Sequence, residues 1–143
     1  LLRKIITETI RIKTAIVSLD EKDRGQRKKL NFGHTFAHAL EKAYRITHGE
    51  AVGLGMILAA NLSVKKNMLE EAEPLRIRKL LQKFNLPVSM KFDRNKILEP
   101  VYQDKKKSGR MIDYVLLKSI GEAWVERLAF SEVEEAIDDL CES

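Results

Sequence analysis

The segment 51–62 is apolar on almost every face of a helix, which limits the folds open to this chain. A helix without a polar face must be surrounded by other elements. Its twelve residues are far fewer than the roughly 20 that a membrane span requires. We therefore predict a central buried helix in a bundle and no membrane-spanning segment. Gly53 and Gly55 each cost about 1 kcal/mol of helix propensity relative to alanine, so either another helix packs closely there or a ligand needs the space.

Composition places the chain among soluble globular proteins. Its 143 residues are 44% hydrophobic and 33% charged, as expected for one domain over 1–143. The net charge is +5, but the basic residues are mixed with 21 acids and lack interleaved aromatic residues, so we expect no nucleic-acid partner. The single cysteine, Cys141, excludes an internal disulfide and fits the reducing cytoplasm. Because the chain begins inside an amphipathic pattern, we expect it to be part of a longer protein.

Helical spacing of apolar residues predicts an amphipathic first helix over 1–18 with one buried stripe. Lys13 lies close to that stripe, where it either covers the core with its stem or has a functional role. A charged connector, 20–29, follows. Asn31 is the expected N-cap of a second helix that ends near residue 45. Thr47 and Glu50 then have the spacing of a capping box that begins the buried helix.

The remainder of the sequence predicts further helices and one hairpin. Helices are expected from residue 73 to 84, from an Asp93 cap through residue 102, and from a Ser131 cap completed by Glu134. A lysine-rich run, 104–110, is expected to end the second of these. Two β-rich segments, 111–117 and 122–125, predict a short hairpin. The fold predicted is therefore mainly α-helical with a small β-hairpin.

All three histidines of the chain fall in one short stretch, as His34, His38 and His48. The first two are four residues apart, so they share one face of a helix, while the third stands where the next helix begins. Two nitrogen donors on adjoining helices are the beginning of a metal site. The alternative is that these are ordinary polar or core histidines. Glu41 and Glu50 are the acidic residues near them, and Glu50 already has a capping role.

The histidine stretch also resembles a known family. The segment 27–41, RKKLNFGHTFAHALE, followed by HGEAVGLGM at 48–56, closely resembles 3-dehydroquinate synthases. The likeness continues backwards to Lys13 and forwards through 86–87, 104–106 and 115–117. It covers the whole chain, and it implies the helical C-terminal domain of such an enzyme without the α/β nucleotide-binding domain.

The resemblance implies an enzyme of the shikimate pathway. It would convert 3-deoxy-D-arabino-heptulosonate 7-phosphate to 3-dehydroquinate and phosphate, using NAD and a divalent metal, zinc or cobalt. His34 and His48 would be two of three metal ligands. Lys13 and Arg27 would bind the substrate carboxylate and hydroxyls. Asn31, His38 and Lys105 of the lysine run would hold the phosphate, and Lys13, Arg27 and His38 are the residues expected to act in catalysis.

The same resemblance implies that parts of the site lie elsewhere. In the family the third metal ligand is a glutamate upstream of the segment matched here, and NAD contacts lie in the nucleotide-binding domain. We therefore expect this chain alone to be inactive and to bind metal weakly, and the full-length protein to be a homodimer.

Three alternatives remain open, one of them an iron- or zinc-dependent polyol dehydrogenase with the same two-domain plan. Related sugar-phosphate cyclases share the metal histidines but make other rings, and a non-catalytic helical interaction module is the alternative from another class. The connection between His38 and His48 is also a few residues shorter than in the family, which bears on whether His48 still lies beside His34.

Overall fold

The computed structural model describes residues 2–20, 25–109 and 111–142, and of residues 104–108 and 140–142 the backbone alone. Helices make up most of these ranges, and the described strands form one antiparallel hairpin. The elements are α1 (Leu2–Leu19), a 3₁₀ helix (Gln26–Asn31), α2 (His34–Ala43), α3 (His48–Lys65), α4 (Glu73–Lys83), α5 (Arg94–Ser108), β1 (Met111–Ser119), β2 (Glu122–Ala129) and α6 (Phe130–Glu142). The prediction of a mainly α-helical fold with a short hairpin is confirmed.

Helix α3 lies at the centre of the fold, as its apolar sequence predicted. It contacts α2, α4, α6 and β1, and most of its side chains are buried. Burying one large aliphatic side chain contributes about 1.5–3 kcal/mol, so this helix is a main source of the stability of the fold. Side chains with 0% exposure come from four other elements: Leu40, Ile97, Leu116 and Ile137. No helix in the described ranges is long and apolar enough to cross a membrane.

Helices α2 and α3 meet through their backbones at Gly33 and Gly55. Gly33 is the N-cap of α2, with a φ of 82°, a left-handed conformation that glycine adopts without steric cost. A Cβ on Gly55 would overlap the Gly33 carbonyl oxygen, and a Cβ on Gly33 would lie 2.7 Å from the Met56 nitrogen. Close packing therefore explains Gly55. Gly53 differs, since a Cβ there would meet Leu81 Cδ2 at an ordinary 3.5 Å.

The predicted N-cap at Asn31 is wrong. Asn31 is the last residue of the 3₁₀ helix, and α2 begins three residues later, at His34. The chain must pass through the left-handed Gly33 to bring α2 against α3, and this turn separates the two helical segments. Helix α2 also ends at Ala43, slightly before the predicted boundary.

The hairpin is longer than predicted and is tied to the central helix. Ser63, in α3, is fully buried. Its hydroxyl donates to the Ala59 carbonyl oxygen at 2.7 Å and accepts from the Leu117 backbone N–H at 2.9 Å. The hydroxyl satisfies a buried backbone donor and so fixes β1 against α3.

The caps and ends of α5 and α6 test three further predictions. Asp93 does cap α5, because its Oδ1 accepts from the Asn95 backbone N–H at 2.9 Å. The helix continues past residue 102 and ends at Ser108, within the lysine-rich run, as predicted. The capping box at Ser131 and Glu134 is wrong, because β2 runs directly into α6 and the Ala129 N–H donates to Glu132 at 2.9 Å.

Helix α1 does not bury the stripe that its sequence predicted. It has no buried residue, and its main contact among the described elements is with the 3₁₀ helix. Leu2 and Leu19 are 64% and 81% exposed, and Lys13 is exposed with them. The amphipathic pattern correctly predicted the helix, but Leu2, Ile5, Ile6 and Ile10 of its apolar face are exposed.

Gly55→Ala should destabilise the protein, because its Cβ can be accommodated only by moving the α2 backbone away from α3. We expect a loss of about 2 kcal/mol, typical of overpacking, despite a gain of helix propensity. Gly53→Ala is the matched control, with ordinary contact to Leu81 and an expected gain of up to about 1 kcal/mol. Urea unfolding measures both, and equal stabilities for the two variants would contradict the backbone contact.

Candidate functional site

The three histidine rings lie together where α2 and α3 begin. The ring centroids of His34 and His48 are 5.3 Å apart, with their planes at 63°. Those of His34 and His38, one turn apart on α2, are 6.0 Å apart. His34 is partly buried, whereas His38 and His48 are exposed. The short connection between the helices therefore leaves His48 beside His34.

Each of the two closest rings uses its Nδ1 atom for a hydrogen bond. His34 Nδ1 lies 3.2 Å from the Phe32 carbonyl oxygen, and His48 Nδ1 lies 3.0 Å from Glu41 Oε1. A carbonyl oxygen and an ionised carboxylate only accept, so both Nδ1 atoms must carry the hydrogen. In a neutral imidazole the other nitrogen, Nε2, then keeps its lone pair.

A capping box fixes the start of α3, as predicted. The Thr47 hydroxyl accepts from the Glu50 backbone N–H, and the Glu50 carboxylate accepts from the Thr47 backbone N–H at 3.0 Å. The same carboxylate accepts from the Thr47 hydroxyl, which is the main reason that the pKa of Glu50 lies below its ordinary value. His48 is the first residue of the helix that this box begins.

A pocket of about 260 Å³ opens beside the histidines. Asn31 and Lys28 of the 3₁₀ helix and His34, Thr35 and His38 of α2 form one side. The hairpin forms the other: residues 113 and 115 share one face of β1, and residue 125 of β2 pairs with residue 115. The 3₁₀ helix, α2 and the hairpin thus converge on one polar pocket.

Sequence reasoning missed two charged residues of this pocket, Lys28 and Asp113. Their side chains form an ion pair that joins the 3₁₀ helix to β1. Lys28 could have been noticed as a neighbour of Arg27, but its sequence position does not show which way it points. Asp113 had one signal, a charged residue two positions from Val115 in a β-rich segment, which is too common to be diagnostic.

The structure brings some of the predicted site residues together and leaves others apart. Asn31, His34 and His38 line the pocket, and His48 lies against His34. Lys13 and Arg27 are exposed and are not among the lining residues. The backbone N–H of Arg27 donates to Asp20 at 3.1 Å. The side chain of Lys105 lies outside the described part of the chain.

The paired imidazoles fit a metal, although they do not complete a site. Zinc–nitrogen bonds of about 2.1 Å place the centroids of two tetrahedrally bound imidazoles about 5 Å apart, close to the observed 5.3 Å. Across the described residues, no group of three or more histidine, cysteine or acidic side chains could hold a metal. His34 and His48 thus offer two nitrogen donors, and a metal held there would need further ligands.

A larger cavity, of about 620 Å³, lies on the other side of α2. Its lining is mostly apolar, and its Arg78 donates to the Val88 carbonyl oxygen at 3.0 Å. None of the three histidines lines it. The smaller pocket, with its histidines and its ion pair, is therefore the better candidate for chemistry.

Comparison with known proteins places this site in a family. The model of the 3-dehydroquinate synthase C-terminal family matches residues 1–107, which contain all three histidines. The chain belongs to this family. A 3-dehydroquinate synthase of Dehalococcoides mccartyi is 47% identical over 124 residues, which cover 85% of this chain and 34% of that protein. One of Campylobacter concisus is 40% identical over 129 residues, covering 87% and 37%. The chain thus spans little more than a third of the length of these curated relatives.

Solved structures of sugar-phosphate cyclases share the fold. A 2-deoxy-scyllo-inosose synthase, in complex with carbaglucose-6-phosphate, NAD⁺ and Co²⁺, matches with a TM-score of 0.77 and 26% identity, over 91% of this chain and 40% of that one. A 2-epi-5-epi-valiolone synthase of Streptomyces hygroscopicus, with NAD⁺ and Zn²⁺ bound, matches with a TM-score of 0.79 and 23% identity, over 97% and 40%. The second likeness shows the fold alone.

The capping box should make the start of α3 sensitive to acid. A carboxyl whose pKa is lowered on folding stabilises the fold fully above its unfolded-state pKa, about 4.3 for glutamate. That contribution is lost as the pH falls through the lower folded-state pKa. Glu50→Gln should therefore be less stable than the wild type at pH 7, and the difference should be smaller at about pH 3, below the unfolded-state pKa.

Urea unfolding at the two pH values measures this difference. Glu99→Gln, which changes an exposed glutamate of α5, is the control. It should be as stable as the wild type at both pH values. A Glu50→Gln difference that is the same at both pH values would contradict a role for the Glu50 charge.

Proposed function

We propose that this chain is the helical domain, over 1–143, of a 3-dehydroquinate synthase. In the complete protein this enzyme converts 3-deoxy-D-arabino-heptulosonate 7-phosphate to 3-dehydroquinate and phosphate. The observation that carries the proposal is the pair of imidazoles of His34 and His48, 5.3 Å apart with both Nδ1 atoms engaged. This arrangement stands in a chain that is 40–47% identical to enzymes of that name.

His34 and His48 are the residues that would hold a divalent metal, zinc or cobalt, through Nε2. When bound, the metal supplies Lewis acidity to a substrate hydroxyl. Two features of the chain prepare the ligands for this role. The Gly33–Gly55 contact fixes the start of α2, which carries His34, against α3. The capping box holds His48 in the first turn of α3.

The pocket next to the histidines is the proposed place of the substrate phosphate. His38 and Asn31 line it and can donate hydrogen bonds to phosphate oxygens. Lys105, in the last turns of α5, is proposed as a third phosphate contact, and Lys28 lines the same pocket, where Asp113 balances its charge. Lys13 and Arg27 are proposed to bind the substrate carboxylate and hydroxyls, a task that suits an ammonium and a guanidinium.

We propose that the other groups the reaction requires come from parts of the complete protein outside this chain. A glutamate completes the metal site, and an α/β domain binds NAD. The complete enzyme is proposed to act in the cytoplasm, as a homodimer. This chain alone would accordingly bind metal weakly and would not turn over substrate.

Related cyclases are the second candidate, because structures of an inosose synthase and a valiolone synthase share the fold. Identity favours the first proposal, since the chain is 23–26% identical to those enzymes and 40–47% identical to the 3-dehydroquinate synthases. Product analysis distinguishes them, because each class makes a different ring.

His34→Ala and His48→Ala, in the complete protein, test the proposal. Each should abolish tight metal binding and lower NAD-dependent phosphate release from the heptulosonate phosphate by about a thousandfold or more, since Lewis acidity is worth several kcal/mol. Plasma emission spectrometry measures bound metal, and a coupled phosphate assay measures turnover.

His38→Ala is the matched control, because it removes an imidazole from the same helix face. It should retain the metal while losing turnover. Full metal binding and turnover in His34→Ala would contradict the assignment of His34 as a metal ligand. A well-folded wild-type protein without turnover would favour a non-catalytic helical module.

A further inference from the structure

Glu41 stands at the point where α2 and α3 come together. It lies in the last turn of α2, and its Oε1 is 3.0 Å from Nδ1 of His48, the first residue of α3. The side chain of Glu41 is 30% exposed, and that of His48 is 59% exposed. The contact therefore joins a half-buried carboxylate to an exposed imidazole across the connection between the two helices.

We infer that Glu41 is a positioning residue, which holds the His48 imidazole so that its Nε2 is presented to the metal. The inference rests on the proposed function, because it assigns a partner to one of the two proposed ligands. Metal-binding histidines almost always donate their second ring N–H to a carboxylate or a backbone carbonyl, which fixes the ring and its tautomer.

The second imidazole supports the inference independently. His34 has the other common type of partner, a backbone carbonyl, at 3.2 Å from its Nδ1. In both neighbouring rings Nδ1 thus makes the hydrogen bond, and Nε2 remains to bind a metal. An incidental surface ion pair at His48 would not require this match with His34.

The chain offers a physical reason for the choice of Glu41. His34 receives its carbonyl partner from the turn before α2, so its ring is fixed by the local backbone. His48 is preceded by the connection between the helices and is more exposed. A long side chain from the neighbouring helix is needed to orient it, and Glu41 is seven residues after His34, on the same face of α2.

The first readout is the tautomer of His48, measured by ¹⁵N NMR on the metal-free complete protein with labelled histidine. The wild type should carry the hydrogen on Nδ1. Glu41→Met, which has similar length and helix propensity but no acceptor oxygen, should shift His48 towards the Nε2–H tautomer. Glu41→Gln should restore the wild-type tautomer, because its amide oxygen still accepts. A change in side-chain shape alone would not shift the tautomer in Glu41→Met and leave it unchanged in Glu41→Gln.

The second readout is zinc affinity, measured by competition with a chromophoric chelator. Glu41→Met should weaken zinc binding by about 10- to 100-fold, the usual effect of removing such a partner. Glu41→Gln should weaken it by less, and Glu99→Met, an exposed control on α5, should leave it unchanged. Thermal unfolding of each variant verifies that the fold is retained.

The outcomes separate this inference from the proposed function. A Glu41→Met protein with the wild-type tautomer and the wild-type zinc affinity overturns the positioning role. If His48→Ala itself leaves zinc affinity unchanged, the proposed metal site fails. If His48→Ala lowers zinc affinity but Glu41→Met changes neither the tautomer nor the zinc affinity, the positioning role alone is overturned.

Discussion

The backbone contact between Gly33 and Gly55 is the constraint on which the site depends. Side chains at these two positions would separate α2 from α3. Because His34 directly follows Gly33, and His48 begins the helix that contains Gly55, this contact and the short connection between the helices set the distance between the two imidazoles. The loss of helix propensity at the two glycines is thus offset by close helix packing. The same packing places the two imidazoles side by side.

Polar contacts orient the two imidazoles that the backbone contact brings together. The capping box of Thr47 and Glu50 fixes the first turn of α3, and Glu41 and the Phe32 carbonyl engage the two Nδ1 atoms. The contacts to the two rings are exposed or half-buried and contribute little to stability. In the proposed metal site their value lies in orientation, because an imidazole that rotates freely would present either nitrogen.

Much of the fold could be predicted from sequence, and the failures have physical causes. The buried central helix, the Thr47 capping box and the hairpin are local patterns, and all are present. The N-cap at Asn31 failed because tertiary packing demanded a left-handed residue before α2. The histidine spacing and the family motif predicted the candidate site, whereas Asp113 was missed because strand pairing, not sequence distance, brings it to the pocket.

The most direct test of the account is the position of the metal in cobalt-loaded crystals of the complete protein, located by anomalous scattering at the cobalt edge. We expect one strong peak within about 2.1 Å of Nε2 of both His34 and His48, with Nδ1 of His48 still bound to Glu41. A peak bound through Nδ1 of either ring, or one away from this pair, would contradict it.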